Sequence, residues 1–332
     1  MKNDPVSSPS VVFSEFGIPT QVASFGAVDC RVIGAEDALV EIEAAPINPA
    51  DLNVLEGRYG ILPALPAVPG AEGVGRVRQV GEGVRGVSVG DRVLLPHGVG
   101  TWRRLVVVAA EELVTLPEAV PVLQAAMLRV NPATALCMLR EFVSLSPGEW
   151  IVQNAANSGV GRSVIQIARA CGWRTVNVVR RKGLEAELTQ IGADAVVEEG
   201  EGLSARILEA TGGVAPRLGL NAVGGESALG LAKVLAEEGT HVTYGAMGLQ
   251  PLRIPNGVLI FKNIEFRGFW VSRWYKKASR DEVAELFSRL VAWAEAGVLH
   301  TPVEATYPLE SITTALLHAQ RGQRSGKILL CP

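Results

Sequence analysis

The chain has 332 residues, of which 48% are hydrophobic and 20% charged, and its formal net charge is −3. This length predicts about two domains, and this composition is that of a globular protein with an ample core rather than of a disordered chain. The 31 basic and 34 acidic residues nearly balance, and aromatic residues make up only 5%. We therefore expect neither a basic surface nor a base-stacking platform for nucleic acid.

The cysteines and the first residues bear on the compartment. Four scattered cysteines form no Cys-x-x-Cys pair, which predicts neither a structural zinc site nor a disulfide framework and fits a reducing compartment. Residues 1–5 lack the features of a signal or transit peptide, and no apolar run reaches the ~18–20 residues of a membrane span. These features predict a cytoplasmic protein.

The pattern of the chain changes near residue 120. From about residue 11 to 117, short alternating segments at 39–43, 73–81 and 90–95 are punctuated by glycines, which predicts a small β-barrel or sandwich. Helical spacing follows at 121–141. From residue 150, apolar strands at 151–154, 175–179, 195–197, 218–222 and 241–244 alternate with helical stretches, up to a last strand at 264–269. Repeated β-α units predict a doubly wound parallel sheet, followed by a helix at 281–296 and a strand at 327–330.

A glycine-rich segment at 153–161, Gln-Asn-Ala-Ala-Asn-Ser-Gly-Val-Gly, follows a predicted buried strand and opens a helix. Small residues allow close backbone approach, and a helix N-terminus offers N–H groups and a positive dipole, so the segment fits a pyrophosphate. It is not a full Gly-x-Gly-x-x-Gly, and an ordinary strand–helix turn is the alternative interpretation.

The end of the next predicted strand bears on the choice of dinucleotide. An acidic residue there would accept a hydrogen bond from the 2′-hydroxyl of NAD. The chain instead has Arg180, Arg181 and Lys182, and cations fit the 2′-phosphate of NADP(H). A solvated charged face is the alternative.

Several stretches of the chain, together with the glycine-rich segment and the basic triplet, carry a family resemblance. Residues 70–77, 80–81 and 89–93 are similar to the medium-chain dehydrogenase/reductase superfamily. Further stretches resemble its zinc-free branch, the mitochondrial-type trans-2-enoyl-CoA/acyl-carrier-protein reductases: 45–53, 56–60, 100–103, 131–135, 154–167, 244–247 and 267–272. Quinone reductases share the same scaffold.

The resemblance implies an α/β fold with two domains. A GroES-like β-barrel catalytic domain at 1–118 and 270–332 would be split by a Rossmann domain at 119–269, whose doubly wound parallel sheet binds NADPH. A homodimer is usual in the family. By the same matching, NADPH would contact Asn131, Asn157, Ser158, Gly159, Val160, Arg180, Arg181, Lys182, Tyr244, Gly245, Ala246, Met247, Phe269, Trp270, Val271, Ser272 and Lys327.

The implied reaction transfers a hydride from NADPH to the β-carbon of a 2-enoyl thioester carried by CoA or acyl carrier protein. The resemblance also implies that Tyr59 lies near the thioester oxygen and the proton-delivery path. A phenol can donate both a hydrogen bond and a proton, and the loop at 57–60 suits exposure in a cleft. A packing tyrosine is the alternative, and Arg58 is interpreted as a solvated charge.

The sequence is also compatible with other activities. An NADPH:quinone or general enone reductase would use the same scaffold, and a non-enzymatic NADPH-binding protein is a third possibility. Phe269, Trp270 and Trp274 form an aromatic cluster after the last predicted sheet strand, which fits either core packing or the lining of an acyl pocket.

We expect the purified protein to contain no stoichiometric zinc. Zinc alcohol dehydrogenases of this scaffold carry a cysteine near 48–53 and a histidine shortly before the position of Glu72, and this chain has neither. The histidines are isolated from one another: His97, His241, His300 and His318. Elemental analysis with chelator treatment measures this directly. One zinc per chain, with activity lost to the chelator, would reverse the interpretation toward an alcohol dehydrogenase.

Overall fold

The computed structural model describes residues 6–332. Residues 1–5, on which the prediction of no targeting segment depends, lie outside the described residues. The strands are β1 (Ser7–Val12), β2 (Ser24–Asp29), β3 (Asp37–Pro46), β4 (Val74–Val80), β5 (Arg92–Leu94), β6 (Leu105–Ala109), β7 (Val114–Thr115), β8 (Trp150–Gln153), β9 (Arg174–Val179), β10 (Ala195–Glu198), β11 (Leu218–Asn221), β12 (Thr240–Thr243), β13 (Gln250–Leu252), β14 (Glu265–Gly268), β15 (Val303–Tyr307) and β16 (Lys327–Leu330).

The helices complete the secondary structure. They are α1 (Pro19–Val22), α2 (Pro49–Leu55), α3 (Val122–Ala125), α4 (Asn131–Glu141), α5 (Gly159–Ala170), α6 (Glu185–Gln190), α7 (Leu203–Ala210), α8 (Gly225–Val234), α9 (Asn256–Lys262), α10 (Val271–Lys277), α11 (Arg280–Glu295) and α12 (Ile312–Gln320), with short 3₁₀ helices at Ala110–Glu112 and Leu309–Ser311. In residues 6–332, no helix has both the length and the apolar character that crossing a membrane requires.

The chain divides into two compact units. The split unit runs up to Val130 and resumes at Ser279, and the inserted unit is Asn131–Ala278. The sequence-based boundaries fall at 118/119 and 269/270, so residues 119–130 and 270–278 lie in different units from those expected. Gln124 explains the first difference, because its side-chain amide exchanges two hydrogen bonds with the backbone of Thr301, at 3.0 and 2.8 Å.

The split unit is built on a mixed sheet. Its strand order is β15-β16-β3-β4-β5-β7, β6 also pairs with β3, and β1 and β2 form a separate antiparallel pair. The central strand β3 is long and mostly buried, and the core around it includes Phe13, Ile42 and Trp102. The alternating segments at 39–43, 73–81 and 90–95 correspond to β3, β4 and β5, of which β3 is longer and β4 and β5 are shorter than the segments.

The inserted unit is a six-stranded sheet in the order β10-β9-β8-β11-β12-β14, and every neighbouring pair is parallel. The strand order reverses direction between β8 and β11. In such sheets the crevice outside the carboxyl ends of the strands at the reversal is where ligands bind. The predicted doubly wound parallel sheet, with 264–269 closing it as β14, is confirmed.

The helical spacing at 121–141 corresponds to two helices in the structure. The segment forms α3 and α4, separated by a turn. Pro132 fits the first turn of a helix but not a helix interior, and the Val130 N–H donates to the carboxylate of Glu72 at 2.8 Å. Both features favour a new helix start at Asn131.

Helix α12 was missed by the sequence interpretation. Its buried residues are Ile312, Ala315, Leu316 and Ala319, which follow the i, i+3, i+4, i+7 spacing of an amphipathic helix. The signal was therefore present in the sequence.

Candidate functional site

The carboxyl edge of the parallel sheet carries nearly all of the predicted cofactor residues of the inserted unit. Residues 157–160 follow β8, 180–182 follow β9, 244–247 follow β12 and 269–272 follow β14. Since the strands are parallel, their carboxyl ends meet at one edge of the sheet, and all four segments lie there. Asn131 differs, because it begins α4 and is buried.

The turn from β8 into α5 has the form of an anion cradle. Ser158 is the N-cap, and its Oγ accepts a hydrogen bond from the Gly161 N–H at 3.1 Å. A Cβ on Gly161 would lie 2.5 Å from the carbonyl oxygen of Ala156, so only glycine allows this close approach. The N–H groups of Gly159 and Val160 precede the helical hydrogen-bond ladder. The turn therefore fits a pyrophosphate at a helix N-terminus.

Two buried asparagines cross-link the strands at this edge. Asn154 Nδ2 donates to Asn221 Oδ1 at 2.8 Å, and Asn154 Oδ1 accepts from the Ala222 N–H at 2.7 Å. Asn221 Nδ2 in turn donates to Thr243 Oγ1 at 3.1 Å. This chain joins the ends of β8, β11 and β12. The sequence interpretation did not assign Asn221 a role, although an asparagine ending each of two apolar strands was a visible signal.

The basic triplet follows β9 directly. Arg180 and Lys182 are exposed, and Arg181 is half-buried. Lys182 pairs with Glu198 at 3.8 Å, and both side chains are mostly solvent-accessible. An exposed ion pair of this kind contributes little to stability, so a dianionic phosphate can compete with Glu198 for Lys182.

The segments after β12 and β14 contain both buried and exposed side chains. Burial raises the pKa of the Tyr244 hydroxyl, so this phenol is neutral, whereas Met247 is 64% exposed. Phe269 is buried with its ring against the edge of Phe142, at 6.2 Å between centroids. Trp274 makes an edge contact with Tyr275. The Phe269 contact is core packing.

The split unit contains a buried cluster of charged side chains. Lys327 Nζ donates to Asn48 Oδ1 at 2.5 Å, and Asn48 Nδ2 donates to Glu72 Oε1 at 2.8 Å. Burial raises the pKa of Glu72 to about 7 and lowers that of Lys327 to about 8, while their opposite charges oppose both shifts. Lys327 is a predicted cofactor residue. Asn48 and Glu72 lie in stretches that carry the family resemblance, which assigns neither residue a role.

Helix α2 connects this cluster to Tyr59. Asp51, in its first turn, accepts hydrogen bonds from the N–H groups of Asn48 and Ala71 at 2.8 and 2.9 Å. Burial raises the pKa of Asp51 to about 6. The helix ends before Gly57, whose φ of +71° turns the chain into the loop that carries the half-buried Tyr59. The position of Tyr59 thus depends on the anchored start of α2.

The residues at the zinc positions of the scaffold do not fit a metal. Gly70 has φ of +108°, and a Cβ there would lie 2.4 Å from Thr101 Oγ1, so a histidine has no room. Asn48 is engaged by Lys327 and Glu72. Across residues 6–332, no group of three or more His, Cys, Asp or Glu side chains is placed to hold a metal ion.

Family models and a curated relative cover most of the chain. The alcohol dehydrogenase GroES-like domain matches residues 34–118, and the zinc-binding dehydrogenase model matches residues 159–292. The mitochondrial enoyl-(acyl-carrier-protein) reductase of Bos taurus is 43% identical over 319 residues, covering 94% of this chain and 86% of the relative.

Solved structures share the fold over nearly their whole length. A structure described as a putative NADPH:quinone reductase from Bacillus thuringiensis has a TM-score of 0.91 and 26% identity, covering 98% of this chain and 99% of its own. The Etr1p/NADP/crotonyl-CoA complex has a TM-score of 0.87 and 27% identity, covering 98% and 100%. The mitochondrial 2-enoyl thioester reductase Etr1p/Etr2p heterodimer from Candida tropicalis has a TM-score of 0.86 and 27% identity, with the same coverage.

We expect the basic triplet to favour NADPH over NADH. Replacing Arg180 or Lys182 by alanine should weaken NADPH binding about ten- to a hundredfold, the effect of one lost charge-assisted pair of about 1.5–3 kcal/mol. NADH binding should change little, because NADH has no 2′-phosphate. Fluorescence titration with both dinucleotides measures the two affinities.

The matched control is Lys233→Ala, which removes an exposed lysine near the end of α8. It should leave both affinities unchanged. Equal catalytic efficiency of the parent protein with NADPH and NADH would refute the assignment of the triplet.

Proposed function

Because the chain belongs to the mitochondrial-type enoyl-(acyl-carrier-protein) reductases of the medium-chain dehydrogenase/reductase superfamily, we propose that it reduces 2-enoyl thioesters with NADPH. The observation that carries this proposal is the carboxyl edge of the inserted unit, where an anion cradle and a basic triplet follow adjacent strands. In this proposal the inserted unit is the NADPH-binding domain and the split unit is the catalytic domain.

The residues present fit the cofactor. The N–H groups of Gly159 and Val160, after the N-cap Ser158, would hold the pyrophosphate, and Arg180–Lys182 would hold the 2′-phosphate. The remaining contacts would come from Asn131 and Lys327 and from the segments 244–247 and 269–272. When bound, NADPH supplies the hydride that adds to the β-carbon of the enoyl group.

Tyr59 has the proposed catalytic role. Its hydroxyl would donate a hydrogen bond to the thioester oxygen, where negative charge develops as the double bond is reduced, and would lie on the path that delivers the proton. A positioned donor of this kind stabilises the transition state more than the ground state. Helix α2, held at its start by Asp51 and Asn48, fixes the loop from which the hydroxyl projects.

The acyl carrier is proposed to be CoA or acyl carrier protein. The curated relative is named for the carrier protein, and the Etr1p complex contains crotonyl-CoA. The reaction changes only the enoyl group, so the same donor geometry serves both carriers.

Steady-state assays with three acceptors test the proposal. We expect NADPH to be oxidised with crotonyl-CoA and with a longer 2-enoyl-CoA, at a higher kcat/KM than with benzoquinone. Preference for benzoquinone would favour the quinone reductase that the Bacillus thuringiensis likeness suggests. Tight NADPH binding without turnover of any acceptor would favour a non-enzymatic binding protein.

A homodimer is proposed through an apolar surface of the inserted unit. Six large hydrophobic side chains between 247 and 261 are exposed, and β14 beside them is the last strand of the sheet. They are Met247, Leu249, Leu252, Leu259, Ile260 and Phe261. Large exposed apolar side chains grouped in one segment of the chain fit an interaction surface. Sedimentation of the protein and of a Phe261→Glu variant tests this, since an 80% exposed side chain is not needed for folding.

The cellular location differs between the sequence-based expectation and the curated relative. The sequence predicts a cytoplasmic protein, whereas the curated relative is named mitochondrial. The four cysteines are free thiols in the structure, in keeping with a reducing compartment. We keep the cytoplasm as a proposal, and cell fractionation decides between the two compartments.

Tyr59→Phe should lower kcat about a hundred- to a thousandfold, because it removes one donor worth about 2.7–4 kcal/mol at the transition state while keeping the ring. NADPH affinity should barely change, and KM for the enoyl thioester should move less than kcat. The measurements are kcat, NADPH affinity and melting temperature of this variant.

A packing tyrosine predicts the opposite pattern, with a lower melting temperature and near-normal turnover per folded molecule. A kcat within about threefold of the parent, equivalent to under about 0.7 kcal/mol, would remove Tyr59 from the mechanism.

A further inference from the structure

The amide of Asn48 lies between a cation and an anion in the split unit. Its carbonyl oxygen accepts from the Lys327 ammonium at 2.5 Å, and its NH₂ group donates to the Glu72 carboxylate at 2.8 Å. This orientation matches an ionised pair, because the acceptor end faces the cation and the donor end faces the anion. Asn48 is 2% exposed, so water screens the arrangement little.

The carboxylate of Glu72 is held in place from several sides. Its second oxygen, Oε2, accepts from the Val130 N–H at 2.8 Å, and its backbone carbonyl accepts from Thr101 Oγ1 at 2.7 Å. Glu72 is fully buried. Above its pKa of about 7, this buried carboxylate, with both oxygens accepting hydrogen bonds, holds a negative charge at the far side of the Asn48 amide from Lys327.

We propose that Glu72 is a positioning residue that acts through Asn48 to hold the Lys327 ammonium in place and charged, and so sets the upper pH limit of NADPH binding. The inference rests on the proposed function, in which Lys327 contacts NADPH. It goes beyond that function because Glu72 and Asn48 are themselves given no contact with cofactor or substrate.

The charges around Lys327 fix the direction of the effect. Burial and, less strongly, Arg324 lower the pKa of Lys327, whereas the carboxylates of Glu72 and Asp51 raise it, Glu72 more strongly, and the net pKa is about 8. Removing the Glu72 charge therefore lowers the pKa of Lys327. The ammonium, and the charge-assisted contact with the cofactor, are then lost at a lower pH than in the parent.

The first experiment measures the titration of Lys327 in the apoprotein. The chain has seven lysines, and ¹³C-lysine labelling resolves their ε-carbons by NMR, with Lys327→Met identifying the signal of Lys327. In Glu72→Gln, which keeps the side-chain shape, the titration of Lys327 should move down by at least about one pH unit, as expected for loss of a nearby opposite charge. Glu43→Gln removes a half-buried carboxylate elsewhere in the unit and should leave this titration unchanged.

The second measurement is NADPH affinity from pH 6 to 9.5. At pH 9, Glu72→Gln should bind NADPH up to about tenfold more weakly than the parent, because a one-unit pKa shift changes the protonated fraction tenfold there. At pH 6 the two should bind equally, since Lys327 is charged in both. In the Lys327→Met background, Glu72→Gln should have no pH-dependent effect.

The results that would overturn this inference differ from the result that would refute the proposed function. An unchanged Lys327 titration in a folded Glu72→Gln variant overturns the inference, and so does a shifted titration with an unshifted pH limit of NADPH binding. A pH-dependent effect of Glu72→Gln that persists without Lys327 also overturns it. A parent protein that does not bind NADPH refutes the proposed function instead.

Discussion

The split unit depends on one buried carboxylate. Glu72 has no solvent exposure, and a buried charge is tolerated only when it is paired and hydrogen-bonded. Asn48 before α2 and the Val130 N–H before α4 donate to its carboxylate, and Lys327 at the start of β16 supplies the opposite charge and is linked to it through Asn48. Satisfying Glu72 therefore requires these segments to lie together, whatever their separation in sequence.

The contacts around Glu72 also help to fix the proposed catalytic loop, because Asn48 begins the helix that precedes it. Asn48 is the N-cap of α2, and Asp51 ties the same helix start to Ala71. The other end of the short helix leads through Gly57 to Tyr59. A side chain on a loop is placed accurately only if the elements on either side are fixed, and here the fixed element is α2. Loss of Asn48, through which Lys327 is linked to Glu72, would leave a buried charge uncompensated and release that anchor.

The sequence predicted the inserted unit better than the split unit. Parallel strands buried on both faces have continuous apolar runs, so β8, β9, β11 and β12 were located within a residue or two. The placement of the segments that follow these strands at one edge of the sheet could be predicted from the parallel strand direction alone. The break before Asn131 was not predictable from spacing, because it depends on the Val130 N–H bonding to a distant carboxylate. The roles of Asn48, Glu72 and Asn221 also come from partners far away in the chain, which no local pattern reports.

The measurement that tests the central claim most directly is a crystal structure of the protein with NADP⁺. The account predicts the pyrophosphate within hydrogen-bond distance of the N–H groups of Gly159 and Val160 and the 2′-phosphate within reach of Arg180, Arg181 or Lys182. A dinucleotide bound away from the carboxyl edge of the sheet, or a 2′-phosphate turned to solvent with no basic side chain near it, would contradict the account.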